Sequence, residues 1–306
     1  MDPGGGGPGS GSDPGSGSNP GSGDGTISGA ITSDQTWTGK VTIGGNTTIN
    51  PGVTVTVASG TMIEGKTGAT VHVQGTLDIQ GTKDAVVTIL PVQGATTWPG
   101  FVADQGGNLN MTHVMGTNIA TLVYCHAGAT CALDHVEFSS MANAIIAEGT
   151  ATITASRLSQ VMNGGVTVQN GDLKIVDSYI LTSQGDIIIQ NGGNLDISYS
   201  EVGDAQGSYE HCDFHINSAA KLSITHSNIR NGVYGMMIGG TTNAIIQYDN
   251  FVKNGKGTDI EAIGANTNAD FQYDYWDQGA PTMAGGNFAN TMGTMITDAG
   301  PRAANL

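Results

Sequence analysis

The sequence predicts an all-β chain folded as one long parallel β-helix, and three observations carry that prediction. From Phe101 to Trp276 a short pattern returns about every 22 residues, the mark of a stacked repeat. It reads NLNMTHVMG from Asn108, TCALDHVEF from Thr130, TATITASRL from Thr150 and DLKIVDSYI from Asp172. It continues as NLDISYSEV from Asn194, KLSITHSNI from Lys221, NAIIQYDNF from Asn243 and NADFQYDYW from Asn268. Within each repeat, apolar residues alternate at period two and never at a helical period. Aligned repeats also give uniform columns. One is Leu109, Cys131, Ala151, Leu173, Leu195, Leu222, Ala244 and Ala269. The next is Met111, Leu133, Ile153, Ile175, Ile197, Ile224, Ile246 and Phe271. After a turn come Gly116, Phe138, Leu158, Ile180, Val202, Ile229, Phe251 and Trp276. No single repeat can bury such a face alone, whereas stacking closes a continuous core.

Each coil then needs corners and a third strand. The residue before the first column is Asn108, Thr130, Thr150, Asp172, Asn194, Lys221, Asn243 or Asn268, mostly types that tolerate left-handed turn geometry. The column before Leu158 and its equivalents holds Ser156, Ser178, Ser200, Ser227, Asp249 and Asp274, small hydrogen-bonding residues suited to a corner. Strands such as VTVQ from Val166 and MMIG from Met236 precede each turn. Their inward column reads Ala103, Cys125, Ile146, Val168, Ile189, Ile216, Ile238 and Ile263. Eight such rungs, about 4.8 Å apart, make a rod segment of roughly 40 Å.

Four segments follow in order. Residues 1–25 form a Gly/Ser/Pro tract without apolar side chains after Met1, a disordered linker. Tracts of this kind follow the lipidated cysteine of bacterial surface lipoproteins. Met1 directly before Asp2-Pro3-Gly4 reads as a start placed where a signal peptide and that cysteine were removed; a fusion linker is the alternative. Residues 26–100 hold apolar alternations between Gly turns and read as the N-terminal cap and first coils. Residues 101–281 are the regular coils. Residues 282–306 leave the repeat and carry Met283, Phe288, Met292, Met295 and Ile296, an apolar set that needs cover, hence a cap or a strap along the rod.

Two stretches resemble a known group. Pro51-Gly52, Gly60-Thr61, Gly75-Thr76-Leu77, Gly81-Thr82 and Trp98-Pro99-Gly100 resemble the opening of many bacterial surface β-helix proteins. Asp274-Tyr275-Trp276-Asp277, with Gly279 and Pro281, is similar to the closing motif of adhesin-like and carbohydrate-associated β-helices. Together they cover residues 27 to about 281. The resemblance implies the pectate-lyase-like superfamily: a single right-handed parallel β-helix of roughly ten or more coils, exported and displayed at a cell surface. It implies little about activity, since that superfamily mixes lyases, hydrolases, adhesins and scaffolds.

Net charge is -16, from 26 acids against 10 bases, which speaks against nucleic acid as a partner. Polyanionic glycans are equally disfavoured unless a cation bridges them; no cofactor is expected, with Ca2+ a possible ion. No run of about 20 apolar residues is long enough to span a membrane.

Four sets of residues are candidates for function. Cys125 and Cys131 flank the turn HAGAT in two inward columns, and a disulfide across that corner suits an exported chain. The rivals are unpaired core thiols and a zinc site with His126 and His135, which inward cysteines and outward histidines make hard to assemble. Cys212 reads as a buried thiol. His211, Asp213 and His215 alternate along one strand and are expected on one outward face, able to hold a metal or move a proton. His113, His135, Tyr199, His226, Tyr248 and Tyr273 share a column whose stacked rings could offer flat faces to a sugar, or simply cover the rod. Finally, Val102, Tyr124, Ile145, Ile188 and Met237 are read as an outward apolar stripe, with Thr167, His215 and Ala262 between them. Such a stripe is an interface for the tail or for a second copy of the rod. A lyase needs a basic residue in a recognisable motif, and Lys174, Lys221, Arg157 and Arg230 sit in none. A glycosidase needs converging carboxylates, and the nearest set, Asp177, Asp196, Glu201 and Asp204, lies in different columns.

The expectation is therefore a non-catalytic cell-surface or secreted β-helix, tethered by a lipid anchor, that binds an extracellular glycan or a surface protein or serves as a scaffold. Homo-oligomers and a self-assembling fibre fit the same fold. The alternative is a polysaccharide lyase or glycoside hydrolase centred on His211, Asp213 and His215.

Overall fold

The computed structural model describes residues 25–162, 164–181, 185–205, 212–240, 243–254, 260–262 and 267–302. All but the last residue of the 1–25 linker thus lies outside the described residues, as do His211 and Ile263. The chain winds as a right-handed parallel β-solenoid of about 11 turns of roughly 22 residues. Its named strands pair in parallel and build three sheets along the rod.

The first sheet climbs through Thr54–Val57, Thr76–Gln80, Asn108–Thr117, Thr130–Met141, Thr150–Thr154, Asp172–Val176, Asn194–Ser198, Lys221–Thr225, Asn243–Gln247 and Asn268–Trp276. The second includes Arg157–Val161, Tyr179–Leu181, Glu201–Gly203, Asn228–Arg230 and Asn250–Val252. The third includes Trp98–Ala103, Ile119–Cys125, Asn143–Ala147, Val166–Gln169, Ile188–Asn191, Cys212–Ser218, Tyr234–Ile238 and Ile260–Ala262.

The Leu109 column is paired residue to residue up to Ala269, and the Phe138 column up to Trp276. Their side chains form one core from Ile27 to Trp276. Each fully buried Ile or Leu contributes about 1.5–3 kcal/mol, which is why residues in these columns are apolar. Gly116 interrupts its column for a local reason: the Phe138 ring of the next turn occupies the space a side chain there would need.

The bend between the first and second sheets is a single left-handed residue. His113, His135, Ala155, Asp177, Tyr199, His226, Tyr248 and Tyr273 have φ between 47° and 69°. This corrects the expectation that the Asn108–Asn268 column supplies the left-handed geometry. The residue after each bend faces inward, and there a hydrogen-bonded column runs up the rod. The backbone N–H groups of Val136, Ser156, Ser178 and Ser200 donate to the hydroxyl of the serine one turn above, at 3.1–3.2 Å. Those hydroxyls donate in turn to the carbonyl two residues back, at 2.7–3.0 Å. The bend breaks the regular strand ladder, and the serine fills the gap it leaves.

Two corrections concern the third sheet. Ile145 and Ile188 are fully buried, and the outward residues are Ile146 and Ile189. Cys125 accordingly stacks under Ala147, and Val168 under Gln190. These strands carry two consecutive buried residues, Ala144-Ile145 and Ile187-Ile188, before alternation resumes. In the runs Ile145-Ile146 and Ile187-Ile188-Ile189 every residue is apolar, so alternation carries no phase. The second correction concerns the tail. Met283–Ala284 and Asn287–Met292 add one more turn above Ile260–Ala262 and Asn268–Trp276. Phe288 there packs edge-on against Phe271, centroids 5.8 Å apart. The chain then turns back down the rod along the second sheet and its bend, not over the third. Ile296 exchanges two hydrogen bonds with Asn250 at 2.9 Å, and Gly300 N–H donates to His226 O at 2.8 Å. Arg302 ends the run on Asp177 at 3.1 Å and over the Tyr199 ring.

Candidate functional site

Corrected for phase, the outward column of the third sheet is Val102, Tyr124, Ile146, Thr167, Ile189, His215, Met237 and Glu261, one residue per turn and in register throughout. All eight are half-buried. Val102, Tyr124 and Met237 therefore face outward, while Ile145 and Ile188 belong to the core. An outward column this apolar is unusual, because one face of a solvated sheet is ordinarily polar. Near its lower end Tyr124 stacks on His126, ring centroids 4.2 Å apart. Tyr124 Oη donates to Glu148 Oε1 at 2.7 Å, and His126 Nδ1 lies 3.0 Å from Glu148 Oε2. The Tyr124 hydroxyl, helped by His126, holds the Glu148 carboxyl below its ordinary range.

Two turns above Thr167, the column carries a mixed cluster. Strand Cys212–Ser218 opens with three buried residues, Cys212, Asp213 and Phe214, so His215 is the first outward residue. Asp186 sits one turn below, just before Ile188–Asn191. His215 Nδ1 lies 3.4 Å from Asp186 Oδ2 and 3.8 Å from Cys212 Sγ. The hydrogen bond to Asp186 raises the His215 imidazole above its ordinary range, against the opposing effect of partial burial. Burial, reinforced by the Asp186 charge, pushes the Cys212 thiol up.

This overturns the expected outward trio. His211 lies outside the described residues, and Asp213 does not share a face with His215. The Asp213 carboxyl is fully buried beside Gly232, and neither oxygen has a hydrogen-bond partner of good geometry. Burial raises it well above the ordinary carboxylate range, opposed in part by nearby backbone N–H groups of Ala205 and Gly232. The sequence misled because the bend at Cys212-Asp213 breaks the alternation on which that placement rested. Cys212 and Asp186, which do join His215, lie 26 residues apart in sequence. A one-turn offset with an insertion is the only trace of that proximity in the sequence.

The ring column is also rearranged. Tyr199, His226, Tyr248 and Tyr273 stack on one another with centroids 5.0–5.4 Å apart and planes within 25°. His113 and His135 form a separate tilted pair at 4.6 Å. The four stacked rings turn their faces to one another along the rod axis, and the Arg302 guanidinium lies 3.4 Å from the Tyr199 centroid. What this column offers a ligand is ring edges rather than a flat platform.

Cys125 and Cys131 are bonded to each other across the HAGAT corner, with α-carbons 6.3 Å apart and both side chains buried. The carboxylates nearest to a glycosidase set are each engaged with a cation. Asp177 pairs with Arg302, Asp196 with Lys221 at 3.4 Å, and Glu201 and Asp204 with Arg230 at 2.7 and 2.9 Å. Arg157 lies in register with Glu137, and its guanidinium sits 4.9 Å from the Tyr179 centroid. Among the described residues no helix is long and apolar enough to cross a membrane.

The fold and these side chains define a right-handed parallel β-solenoid with an outward apolar stripe on its third sheet. Comparison with protein-family models, with curated proteins and with solved structures finds no match to this chain.

Proposed function

We propose that the chain is the exported, surface-displayed rod of a lipid-tethered bacterial protein, and that it binds an extracellular glycan or a surface protein without altering it chemically. The observation that carries this reading is the third-sheet stripe. Apolar side chains recur from Val102 through Tyr124, Ile146 and Ile189 to Met237, and the described part of the tail lies on another side of the rod. A half-exposed apolar run of this kind, interrupted by Thr167 and His215, fits a contact surface. The Tyr124–His126 ring pair, anchored by Glu148, adds an aromatic body with a polar rim, suited to a sugar. Export is supported by the buried disulfide, which persists in oxidising compartments.

A catalytic reading as a polysaccharide lyase or glycoside hydrolase has its best support at His215, which is partly exposed and whose imidazole Asp186 raises above its ordinary range. The binding reading is favoured because the carboxylates with the highest proton affinity, Asp213, Asp249 and Asp274, are sealed in the core, away from any substrate. The test is capture of extracellular polysaccharides and surface proteins by the full chain, compared with Tyr124→Ala and Met237→Lys variants. Capture weakened tenfold or more by both changes supports the stripe. Equal capture by all three chains contradicts it.

A further inference from the structure

We propose that Asp186, Cys212 and His215 form a binding site for a divalent transition ion of the zinc class. Their donor atoms come from two neighbouring turns of the third sheet and lie within 4.8 Å of one another. Cys212 Sγ lies 3.8 Å from His215 Nδ1, and Asp186 Oδ2 lies 3.4 Å from the same nitrogen. A tetrahedral ion with metal–ligand distances of about 2.0–2.3 Å holds its ligands about 3.3–3.8 Å apart. An ion therefore fits among these atoms with small side-chain adjustments.

The donor set selects the metal. One thiolate, one imidazole and one carboxylate suit Zn2+ or Co2+, whereas Ca2+ and Mg2+ call for oxygen shells. The ligands are already oriented by their surroundings. The Cys212 backbone N–H donates to Asp186 Oδ1 at 2.9 Å, which leaves Oδ2 directed at His215. The side chain of Asn217, the next outward residue, is fixed by donating to Asn191 Oδ1 at 2.8 Å and helps raise the His215 imidazole. Cys212 is buried, while the side chains of His215 and Asp186 keep 27% and 20% exposure. An ion thus enters from the His215 side, and a water completes its fourth position.

Loading breaks the Cys212 S–H bond, forms a metal–sulfur bond and releases the proton to solvent; no electron is transferred. Affinity therefore rises with pH. With Cys125 and Cys131 joined, Cys212 is the free thiol of the chain, so its chemistry can be read without interference.

The experiment treats the disulfide-intact full chain with chelator and titrates it with Co2+, then with Zn2+. The expected result is one equivalent bound, a sulfur-to-cobalt charge-transfer absorption that Zn2+ bleaches, and alkylation of Cys212 slowed at least tenfold by Zn2+. Cys212→Ser should abolish the absorption. Asp186→Asn and His215→Gln keep the thiol and should weaken Co2+ binding tenfold or more, and His135→Gln should leave it unchanged. Circular dichroism and melting of each variant confirm folding; if Cys212→Ser fails to fold, the other two variants decide. A wild-type chain without the absorption at saturating Co2+, or an absorption of equal affinity in Asp186→Asn and His215→Gln, overturns the site. The site lies on the proposed binding face, yet its readout uses metal alone, so loss of glycan or protein capture leaves this result intact.

Discussion

In the corner column that reads Ser156, Ser178, Ser200 and Ser227, the next two turns carry Asp249 and Asp274. Each aspartate repeats the serine's task, with one oxygen accepting the N–H of the residue below, at 2.6 Å from Ser227 and 2.9 Å from Asp249. The second oxygen of each is buried without a hydrogen-bond partner. Burial raises Asp249 well above the ordinary carboxylate range, and burial together with Asp249 pushes Asp274 up to about 9. The Asp274 carboxyl is thus protonated in the folded rod at neutral pH and ionised in the unfolded chain, and burial shifts Asp249 in the same direction. The folded state binds more protons across the window from about pH 4 to about pH 9, so stability falls as pH rises through it. The slope is up to about 1.4 kcal/mol per pH unit for each such group. Melting between pH 4.5 and pH 8.5 should show this decline, and Asp274→Ser, which restores the residue of lower turns, should flatten it. A melting temperature that rises over the window in the parent chain would count against protonated carboxyls. The corner role of this column was legible in the sequence because small hydrogen-bonding residues recur there. The left-handed bend beside it was not, since its column mixes Tyr and Ala with His and Asp and so shows no uniform turn residue such as Gly or Asn.

At the scale of the strand, the phase of the third sheet is the sharpest point of comparison. The first two sheets were legible because apolar and polar residues alternate cleanly in stretches such as NLDIS and KLSIT. In the third sheet the bends at Ala144-Ile145 and Ile187-Ile188 place two neighbours inside, and isoleucine on both sides hides the slip. Ile188→Ala should cost about 2–5 kcal/mol by opening a core cavity, whereas Ile189→Ala should cost less than about 1 kcal/mol. Equal losses in chemical denaturation would contradict the register. The returning tail gives a second test. Removing residues 294–306 leaves the last turn in place but deletes the hydrogen bonds to Asn250, Asn228 and His226. A loss of about 1–3 kcal/mol is expected for those bonds, with no gain in dimer. Dimers that form on this deletion and vanish on Met237→Lys would instead place the tail over the third-sheet stripe.

For the molecule as a whole, repetition explains both what the sequence disclosed and what it withheld. A 22-residue period fixes a rod whose core columns are read directly from aligned repeats, because every turn answers the same burial requirement. A site on such a rod arises where turns differ, and those differences have no partner in the alignment. Asp186, Cys212 and His215 meet because one turn bends inward at Cys212-Asp213, a departure invisible in column composition. The ring column was visible in sequence, yet whether its faces meet a ligand or one another depends on the bend geometry that stacks them. The central claim, a rod that binds without performing chemistry, is tested most directly by incubating a captured glycan with the full chain, with and without added Zn2+ and Ca2+. Its size distribution and reducing ends are then followed. The account predicts an unchanged glycan recovered from a specific complex; shortened chains that no longer appear when His215→Ala replaces the parent protein would contradict it.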